Sequence, residues 1–244
     1  MIYRLGKLPA KHDERTLMLG RYLPVSLPPA PEWVDWGRAV SSWPMLANDQ
    51  LGDCTCAGAG HMIQCWTSLI SAPAAITDAE IIAAYEAVSG YRPSDPSSDN
   101  GAVELTVLKY WRKAGIAGHR IGAFAGVHPV DLDHVKAAVH LFGGLYIGLS
   151  LPLSAQDQDV WDYACLGTQN IPGSWGGHCV NVIGYDAQGL TCVTWGAVKR
   201  MTWSFWLKYC DEAYAIISPD FLSGDGETPD GFNLMQLQAD LRTL

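Results

Sequence analysis

Apolar residues recur at helical spacing through the first 144 residues, in four stretches separated by polar, Pro-bearing or Gly-bearing segments. Thr77 and Asp78 are typical of a helix start, and Gly90 is typical of a helix end. The stretch that begins at Cys54 fits an amphipathic or buried helix that Pro73 ends. The pattern therefore predicts helices over residues 54–71, 77–90, 102–115 and 131–144.

Beyond residue 144 the pattern changes to short apolar stretches of strand-like character. Residues 178–196 are typical of two strands joined by a turn at 186–189, which is a hairpin. We also predict a strand over 144–151, an unordered loop over 157–177, a short aromatic helix or turn over 202–210, and a final strand over 212–218. Helices that precede antiparallel strands in this way favour an α+β fold with two lobes and a cleft between them.

The two ends of the chain differ from this domain, which we place at residues 28–218. Residues 1–27 form a Pro-rich lead, which we predict to be an extended N-terminal arm that lies on the domain. Residues 219–244 form a polar and then weakly helical tail. Because the first residues carry charges and no continuous apolar segment, we expect no signal peptide, no membrane interaction, and a cytoplasmic or virion-associated protein.

The composition excludes some classes of function. The chain is 48% hydrophobic and 17% charged, which suffices for a substantial core, and its net charge of −9 argues against binding of nucleic acid or acidic membranes. Its seven cysteines are an odd number and contain no Cys-x-x-Cys pair. We therefore expect free thiols, no metal site and no cofactor.

Cys54 and His178 are the strongest candidates for chemistry. Cys54 begins a predicted helix, and the positive end of a helix dipole stabilises a thiolate. A nucleophilic cysteine also needs a base from elsewhere in the fold. His178 follows Gly176 and Gly177, which leave access to its ring, and precedes an apolar strand that would hold it rigidly.

Several motifs resemble those of the papain-like cysteine peptidase family in order and approximate spacing. They are PEWVDW at 31–36, NDQLGDCT at 48–55, SDNGAVELTVLKYW at 98–111, GGHCVNVIGYD at 176–186 and VTWG at 193–196. The resemblance covers about residues 28–218 and is closer to a bacterial, archaeal and phage-type branch than to the plant and lysosomal enzymes. It implies a papain-like fold, with a helical lobe that carries the nucleophile and a β lobe that carries the histidine.

The resemblance leaves two alignments for the nucleophile. The Leu-Gly-x-Cys-Thr loop of that branch assigns Cys54, and the family's oxyanion glutamine, six residues earlier, then falls on Asn48. Counting instead from Gln50 assigns Cys56. The two cysteines lie about 200° apart around a helix, so both cannot face one cleft, and we prefer Cys54.

The chain departs from the family pattern at the residue that orients the histidine. When Trp195 is matched to the family's Trp-Gly, the orienting asparagine falls on Val193, which cannot form a side-chain hydrogen bond. Thr194 can replace it only if the strand is bulged or bent, because neighbouring strand residues face opposite sides. The resemblance implies that Trp195 shields the pair from water. Asp53 places a carboxylate beside Cys54, which raises the pKa of a thiol.

These features predict a cysteine hydrolase that acts on a peptide or amide substrate. Cys54 attacks the carbonyl, His178 transfers the proton, and the Cys54 N–H with Asn48 or Gln50 stabilises the oxyanion. The alternative is a catalytically weak or inactive papain-fold module with protein assembly partners, for example a phage-particle component. A cleft filled by residues 1–30 would favour that alternative, or would mark the arm as an inhibitory, propeptide-like segment.

Overall fold

The computed structural model describes residues 3–23, 29–163 and 167–221. The α-helices of this part are α1 (Cys54–Leu69), α2 (Asp78–Ser89), α3 (Glu104–Lys113), α4 (Leu132–Leu141) and α5 (Trp203–Tyr209). The strands are β1 (Val34–Asp35), β2 (Ala123–Gly126), β3 (Leu145–Leu151), β4 (Val160–Trp161), β5 (Gly176–Tyr185), β6 (Gly189–Thr194), β7 (Ala197–Thr202) and β8 (Cys210–Ile217). Short 3-10 helices occur at Leu19–Arg21, Gly37–Ala39, Pro96–Ser98, Leu153–Asp157 and Thr168–Asn170.

All four predicted helices are confirmed, with ends that differ by a few residues. The α2 helix keeps its predicted start because Thr77 and Glu80 form a reciprocal capping box. It ends where Gly90 adopts a left-handed conformation with φ of 78°. The α1 helix is buried on nearly all sides, and its small residues let the sheet approach closely, since a Cβ added at Gly58 would lie 3.3 Å from the Cys179 Sγ.

The strands form a single twisted sheet in the order β2-β8-β3-β5-β6-β7-β4, and β1 pairs with β5. All pairs are antiparallel except β4 with β7. The predicted hairpin is confirmed as β5 and β6, and the strands predicted over 144–151 and 212–218 are β3 and β8. The register between β5 and β6 shifts between Val182 and Gly184, which marks a β-bulge.

Other strands lie where the sequence predicted none. β4 interrupts the stretch predicted as an unordered loop over 157–177, and β1 lies within the PEWVDW motif at 31–36, for which no strand was predicted. Each has only two residues, which is too short for a periodic signal. The missed β7 reads Ala-Val-Lys-Arg-Met-Thr, and only Met201 of this strand is buried, so it lacks a continuous apolar face.

The hydrophobic core is divided between two lobes, which confirms the predicted two-lobed α+β fold. One cluster joins α1, α2 and α3, with Trp66 and Trp111 stacked at 5.8 Å. The larger cluster lies between the sheet, α4 and α5. The N-terminal end of α1 meets β5 between the lobes, as the Gly58–Cys179 approach shows.

No helix within the described ranges is long and apolar enough to cross a membrane. The six described cysteines are all free thiols. Residues 24–28 of the predicted arm and its junction, and residues 222–244 of the predicted helical tail, lie outside the described residues.

Candidate active site

Cys54 is the first residue of α1, and its thiol is buried. The sulfur lies close to the backbone N–H groups of Cys179 and Gly6, which act to lower the pKa of the thiol. Burial raises the pKa of the Cys54 thiol to about 12, and the nearby carboxylate of Asp53 acts in the same direction. The thiol therefore lies beside the strand residue that follows His178, in its neutral form.

His178 lies on β5 and is completely buried. Its Nε2 is 2.6 Å from the Thr194 Oγ1, and its Nδ1 has no hydrogen-bond partner among the described residues. The Trp195 ring stacks on the imidazole, with centroids 4.3 Å apart and planes 15° apart. Burial lowers the pKa of His178 to about 3, so the imidazole is neutral.

Thr194 reaches the histidine without any bulge or bend, because the pairing of Asn181 with Val193 places Thr194 on the same face of the hairpin as His178. Thr194 ends β6, and Trp195 and Gly196 turn the chain with φ values of 47° and 69°. Val193, which occupies the family's asparagine position, instead packs on the opposite side with Cys65 and Ile183.

The loop before α1 contains both predicted oxyanion amides, and the structure places them differently. Asn48 is buried, and its Nδ2 donates to the Leu51 carbonyl and to the Asp53 Oδ1, both at 3.1 Å. Both amide hydrogens of Asn48 are therefore used inside the loop. Gln50 has an exposed side chain. Burial raises the pKa of Asp53 well above its usual value, against the Asn48 hydrogen bond.

Cys56, the other candidate nucleophile, is completely buried in the helical core. The backbone N–H of Cys179 on β5 lies close to the Cys54 thiol, and burial raises the pKa of the Cys56 thiol well above its usual value. Of the two cysteines, the structure thus brings Cys54 to the strand that carries His178.

Residues 3–8 of the N-terminal arm lie in the cleft as an extended segment between the two lobes. On one side, the N–H groups of Gly6 and Lys7 donate to the Gly177 carbonyl at 3.3 and 3.1 Å. On the other, Ala102 donates to the Gly6 carbonyl at 2.8 Å, and Leu8 donates to the Ala102 carbonyl at 2.9 Å. The arm therefore bridges both walls through its backbone.

The start of the arm also covers the histidine. The Tyr3 ring stacks on Trp195 with centroids 4.4 Å apart, and the Trp195 Nε1 donates to the Arg4 carbonyl at 3.0 Å. The fit is close, since a Cβ at Gly6 would lie 1.8 Å from the Gly52 carbonyl oxygen. Cleft and arm thus exclude water from Cys54 and His178 together.

Asp99 and Tyr85 hold the walls of the cleft and were not singled out from the sequence. Asp99 accepts from the Gly52 N–H with both carboxylate oxygens at 3.1 Å, and the Tyr85 hydroxyl donates to it at 2.5 Å. The same hydroxyl accepts from the Gly101 N–H at 2.8 Å. The only sequence signal was the resemblance of residues 98–111, which gave no role to the aspartate.

Groups of three or more His, Cys, Asp or Glu residues arranged to hold a metal ion are absent from the part of the chain that the structure describes.

Comparisons with known proteins support the fold. Xylellain, a cysteine protease from Xylella fastidiosa, superposes with a TM-score of 0.64 at 16% identity, over 88% of this chain and 96% of that one. Digestive procathepsin L 3 of Tenebrio molitor gives 0.60 at 14% identity, over 85% and 75%. The bromelain protease from Ananas comosus, in complex with the E64 inhibitor, gives 0.55 at 13% identity, over 77% and 99%.

No sequence-family profile matches the chain. No curated protein matches it in sequence either. The structural neighbours have 12–16% identity, so the likeness is one of fold. The chain has the two-lobed α+β fold of the papain-like cysteine proteases.

Proposed function

We propose that the chain is a papain-like cysteine hydrolase that cleaves peptide or other amide bonds through Cys54 and His178. The observation that supports this most is the state of the imidazole. The His178 Nε2 is engaged by Thr194, and its Nδ1 is buried without a partner beside the strand segment that meets the thiol. A buried nitrogen kept free of other partners is what a base for Cys54 requires.

The reaction follows from these positions. With the Nε2 proton donated to Thr194, the His178 Nδ1 is an acceptor and takes the proton of the Cys54 thiol. The thiolate attacks the carbonyl carbon, and the imidazolium then protonates the leaving amine as the C–N bond breaks. Water, deprotonated by the same imidazole, hydrolyses the thioester and regenerates the thiol.

Thr194 is a positioning residue in this scheme, and Trp195 a shielding one. The 2.6 Å hydrogen bond fixes the ring plane and the tautomer of His178, which is the task of the asparagine in the family. The stacked indole excludes water from one face of the imidazole.

The oxyanion is stabilised by the Cys54 backbone N–H at the N-terminus of α1, where the helix dipole is favourable. The exposed Gln50 is the amide free to join it, because the Asn48 hydrogens are used within the loop. This reverses the pairing of Asn48 with Cys54 that the sequence spacing suggests.

We also propose that residues 3–8 are an inhibitory segment. The arm fills the cleft while Thr194 and Trp195 keep their contacts with His178, which favours a covered catalytic site. The alternative, an inactive module with protein partners, is supported by the same filled cleft and by the neutral thiol and imidazole. The Leu51–Gly52–Asp53–Cys54–Thr55 loop supports placement near the bacterial, archaeal and phage-type branch.

Alkylation of the full chain tests this proposal. In Gly6→Val the added Cβ collides with the Gly52 carbonyl, so the arm leaves the cleft, and trypsin cleavage at Lys7 reports its release. Iodoacetamide at neutral pH should then modify Cys54 faster than Cys56 or Cys65, and His178→Ala should slow that modification. Lys11→Ala, an exposed change elsewhere in the arm, is the control. An expelled arm without preferential reaction at Cys54 would establish the inactive module.

A further inference from the structure

The Lys7 side chain enters a deep acidic recess next to the thiol. Its side chain is only 1% exposed, and its Nζ lies 2.9 Å from the Asp211 Oδ1 and 3.0 Å from the Glu212 Oε1. We call this recess, formed by Glu104, Gly148, Asp211 and Glu212, the Lys7 pocket. Because Gly6 is the residue whose N–H meets Cys54, the pocket lies one residue along the bound strand from the nucleophile.

Glu104 is a further acidic group near Lys7, and burial raises its pKa well above the usual value. It is completely buried at the start of α3, and neither carboxylate oxygen has a hydrogen-bond partner among the described residues. Burial by itself would lower the pKa of Lys7, but the carboxylates of Glu104, Glu212 and Asp211 outweigh it and raise the pKa above its usual value. The ammonium is therefore charged in the pocket.

The shape of the pocket is also specific. A Cβ added at Gly148 of β3 would lie 2.0 Å from the Lys7 Cε, so only glycine at this position leaves the channel open. The Ser150 hydroxyl donates to Asp211 at 2.7 Å, and the Tyr214 hydroxyl donates to the Glu212 Oε2 at 2.8 Å. These bonds fix both carboxylates in orientations that bind a cation at the end of a long, unbranched side chain.

A peptide that replaces the arm must lie over the same groups. Departure of Lys7 leaves the carboxylates of Asp211 and Glu212 without the ammonium that lies 2.9 and 3.0 Å from them, and poorly solvated carboxylates without a counter-charge are unfavourable. An incoming lysine satisfies them, whereas an apolar side chain leaves them unpaired. Discrimination of this kind, by groups left without a partner, is stronger than discrimination by size.

We propose that the Lys7 pocket is the specificity pocket of the enzyme and selects peptide substrates with a lysine one residue from the position held against Cys54. This inference rests on the proposed function, because it assigns a substrate to the same cleft. It also explains why the arm carries a lysine at this place: the arm occupies the cleft with the side chain that the pocket binds.

The test uses full-length Gly6→Val/Lys7→Ala, in which the arm can neither return nor fill the pocket. Two epoxysuccinyl probes are compared, one with a lysine amide and one with the isosteric, uncharged norleucine amide. Mass spectrometry measures the rate at which each modifies Cys54. The lysine probe should react at least about tenfold faster, since one partner of a buried charge pair is missing with norleucine.

Two charge-neutralising variants make the comparison specific. Glu212→Gln in the same background should reduce the lysine-to-norleucine ratio severalfold. Glu32→Gln, an exposed residue with the same change in charge, should leave the ratio unchanged. If loss of Lys7 prevents folding, Gly6→Val alone removes the arm together with its lysine, and the same pair of probes applies.

A binding measurement separates failure of the pocket from failure of the chemistry. Calorimetry measures binding to the Lys7 pocket without any reaction. It compares acetyl-Gly-Lys-Leu amide with its norleucine counterpart on the double variant that also carries Cys54→Ala. If both peptides bind with equal affinity, or both probes modify Cys54 at equal rates, the proposed specificity pocket is wrong and the proposed nucleophile still stands. If the lysine peptide binds more tightly but neither probe nor iodoacetamide modifies Cys54, the proposed hydrolase function is wrong and the lysine-selective pocket still stands.

Discussion

The thiol–imidazole end of the cleft and the Lys7 pocket are neighbours beneath the same arm, and burial affects them in opposite ways. At the first, burial raises the pKa of Cys54 to about 12 and lowers that of His178 to about 3, so both groups are neutral. At the second, Lys7 is as deeply buried and yet charged, because three carboxylates surround it.

The difference shows how one segment can close a site reversibly. Cys54 and His178 are neutral because the arm excludes solvent from them. When the arm leaves, exposure to solvent restores the conditions for a thiolate–imidazolium ion pair. The ion pairs of Lys7 with Asp211 and Glu212 are attractive interactions that hold the arm in the cleft. The Lys7 pocket therefore stabilises the closed position of the arm, whereas the thiol–imidazole end only loses solvent when the arm closes. The predictions below separate the two ends, from the largest expected effect to the smallest.

The first prediction concerns the nucleophile. In the Gly6→Val background, Cys54→Ala should lower hydrolysis of a lysine-containing fluorogenic peptide amide by at least about a thousandfold, because the covalent route is lost. Cys56→Ala, a change of similar size in the core two residues away, should retain activity within a few-fold. Equal losses in the two variants would contradict the assignment of Cys54.

The second prediction concerns residues 3–8 of the arm and the ion pairs of Lys7. Gly6→Val should increase the rate of Cys54 alkylation at pH 7 by about a hundredfold over the unmodified sequence, because an exposed thiol recovers its thiolate fraction. Lys7→Met should give a smaller increase, since it removes the charge but keeps the backbone bonds of the arm. A decrease in either variant would show that the arm assembles the site instead of closing it.

The third prediction concerns the orientation of the imidazole. Thr194→Val should lower kcat by about ten- to a hundredfold with little change in KM, because the ring loses its only side-chain hydrogen bond among the described contacts. Thr194→Ser keeps the hydroxyl and should recover most of the rate. If serine and valine are equally poor, the role of Thr194 is packing.

The fourth prediction concerns pH. Closure depresses the pKa of His178 from its ordinary value near 6.5 to about 3, so the open form binds the proton between these values. Acidification below about pH 6.5 should therefore favour opening, by up to about tenfold per pH unit.

Trypsin cleavage at Lys7 measures this opening. Cleavage, with trypsin activity corrected at each pH, should accelerate from pH 7 to pH 5 in the unmodified chain. It should change much less in Gly6→Val, where the arm is already free. A flat profile in the unmodified chain would show that His178 takes up no proton on opening.

The smallest effects separate the two loop amides. Asn48→Ala removes two hydrogen bonds within the loop and leaves Asp53 unpaired, and should lower the free energy of unfolding by about 1–3 kcal/mol. Gln50→Ala should leave stability nearly unchanged but lower kcat severalfold if this side chain binds the oxyanion. Chemical denaturation and steady-state kinetics in the Gly6→Val background measure both, and the reverse pattern would assign Asn48 to the oxyanion.

Local signals explain which elements could be predicted. The α2 helix has its cap, its periodicity and its terminal glycine within residues 77–90, so the sequence contains all that forms it. The β5–β6 hairpin is similar, because its turn and both apolar strands are contiguous. In contrast, β1 and β4 exist only because a longer neighbouring strand offers backbone partners, and two residues have no pattern of their own.

The site shows the same division. The positions of Cys54 and His178 are recognisable because Cys54 begins α1 and His178 lies near the start of β5. The role of Thr194 depends on the strand register, because pairing of Asn181 with Val193 places Thr194 and His178 on one face, and residue spacing alone does not fix that register. The place of Asn48 depends on its competition with Asp53 for hydrogen bonds, which counting residues cannot reveal.

The sequence by itself determined the two-lobed α+β pattern, the helix that begins at Cys54 and the strand that begins near His178, because local periodicity, caps and turns encode them. Only the tertiary structure decided that residues 3–8 occupy the cleft and that Lys7 meets Glu104, Asp211 and Glu212. Those contacts join the N-terminus to α3 and β8, and backbone bonds to Gly177 and Ala102 hold them. Such pairings depend on packing between distant segments, for which no local pattern exists.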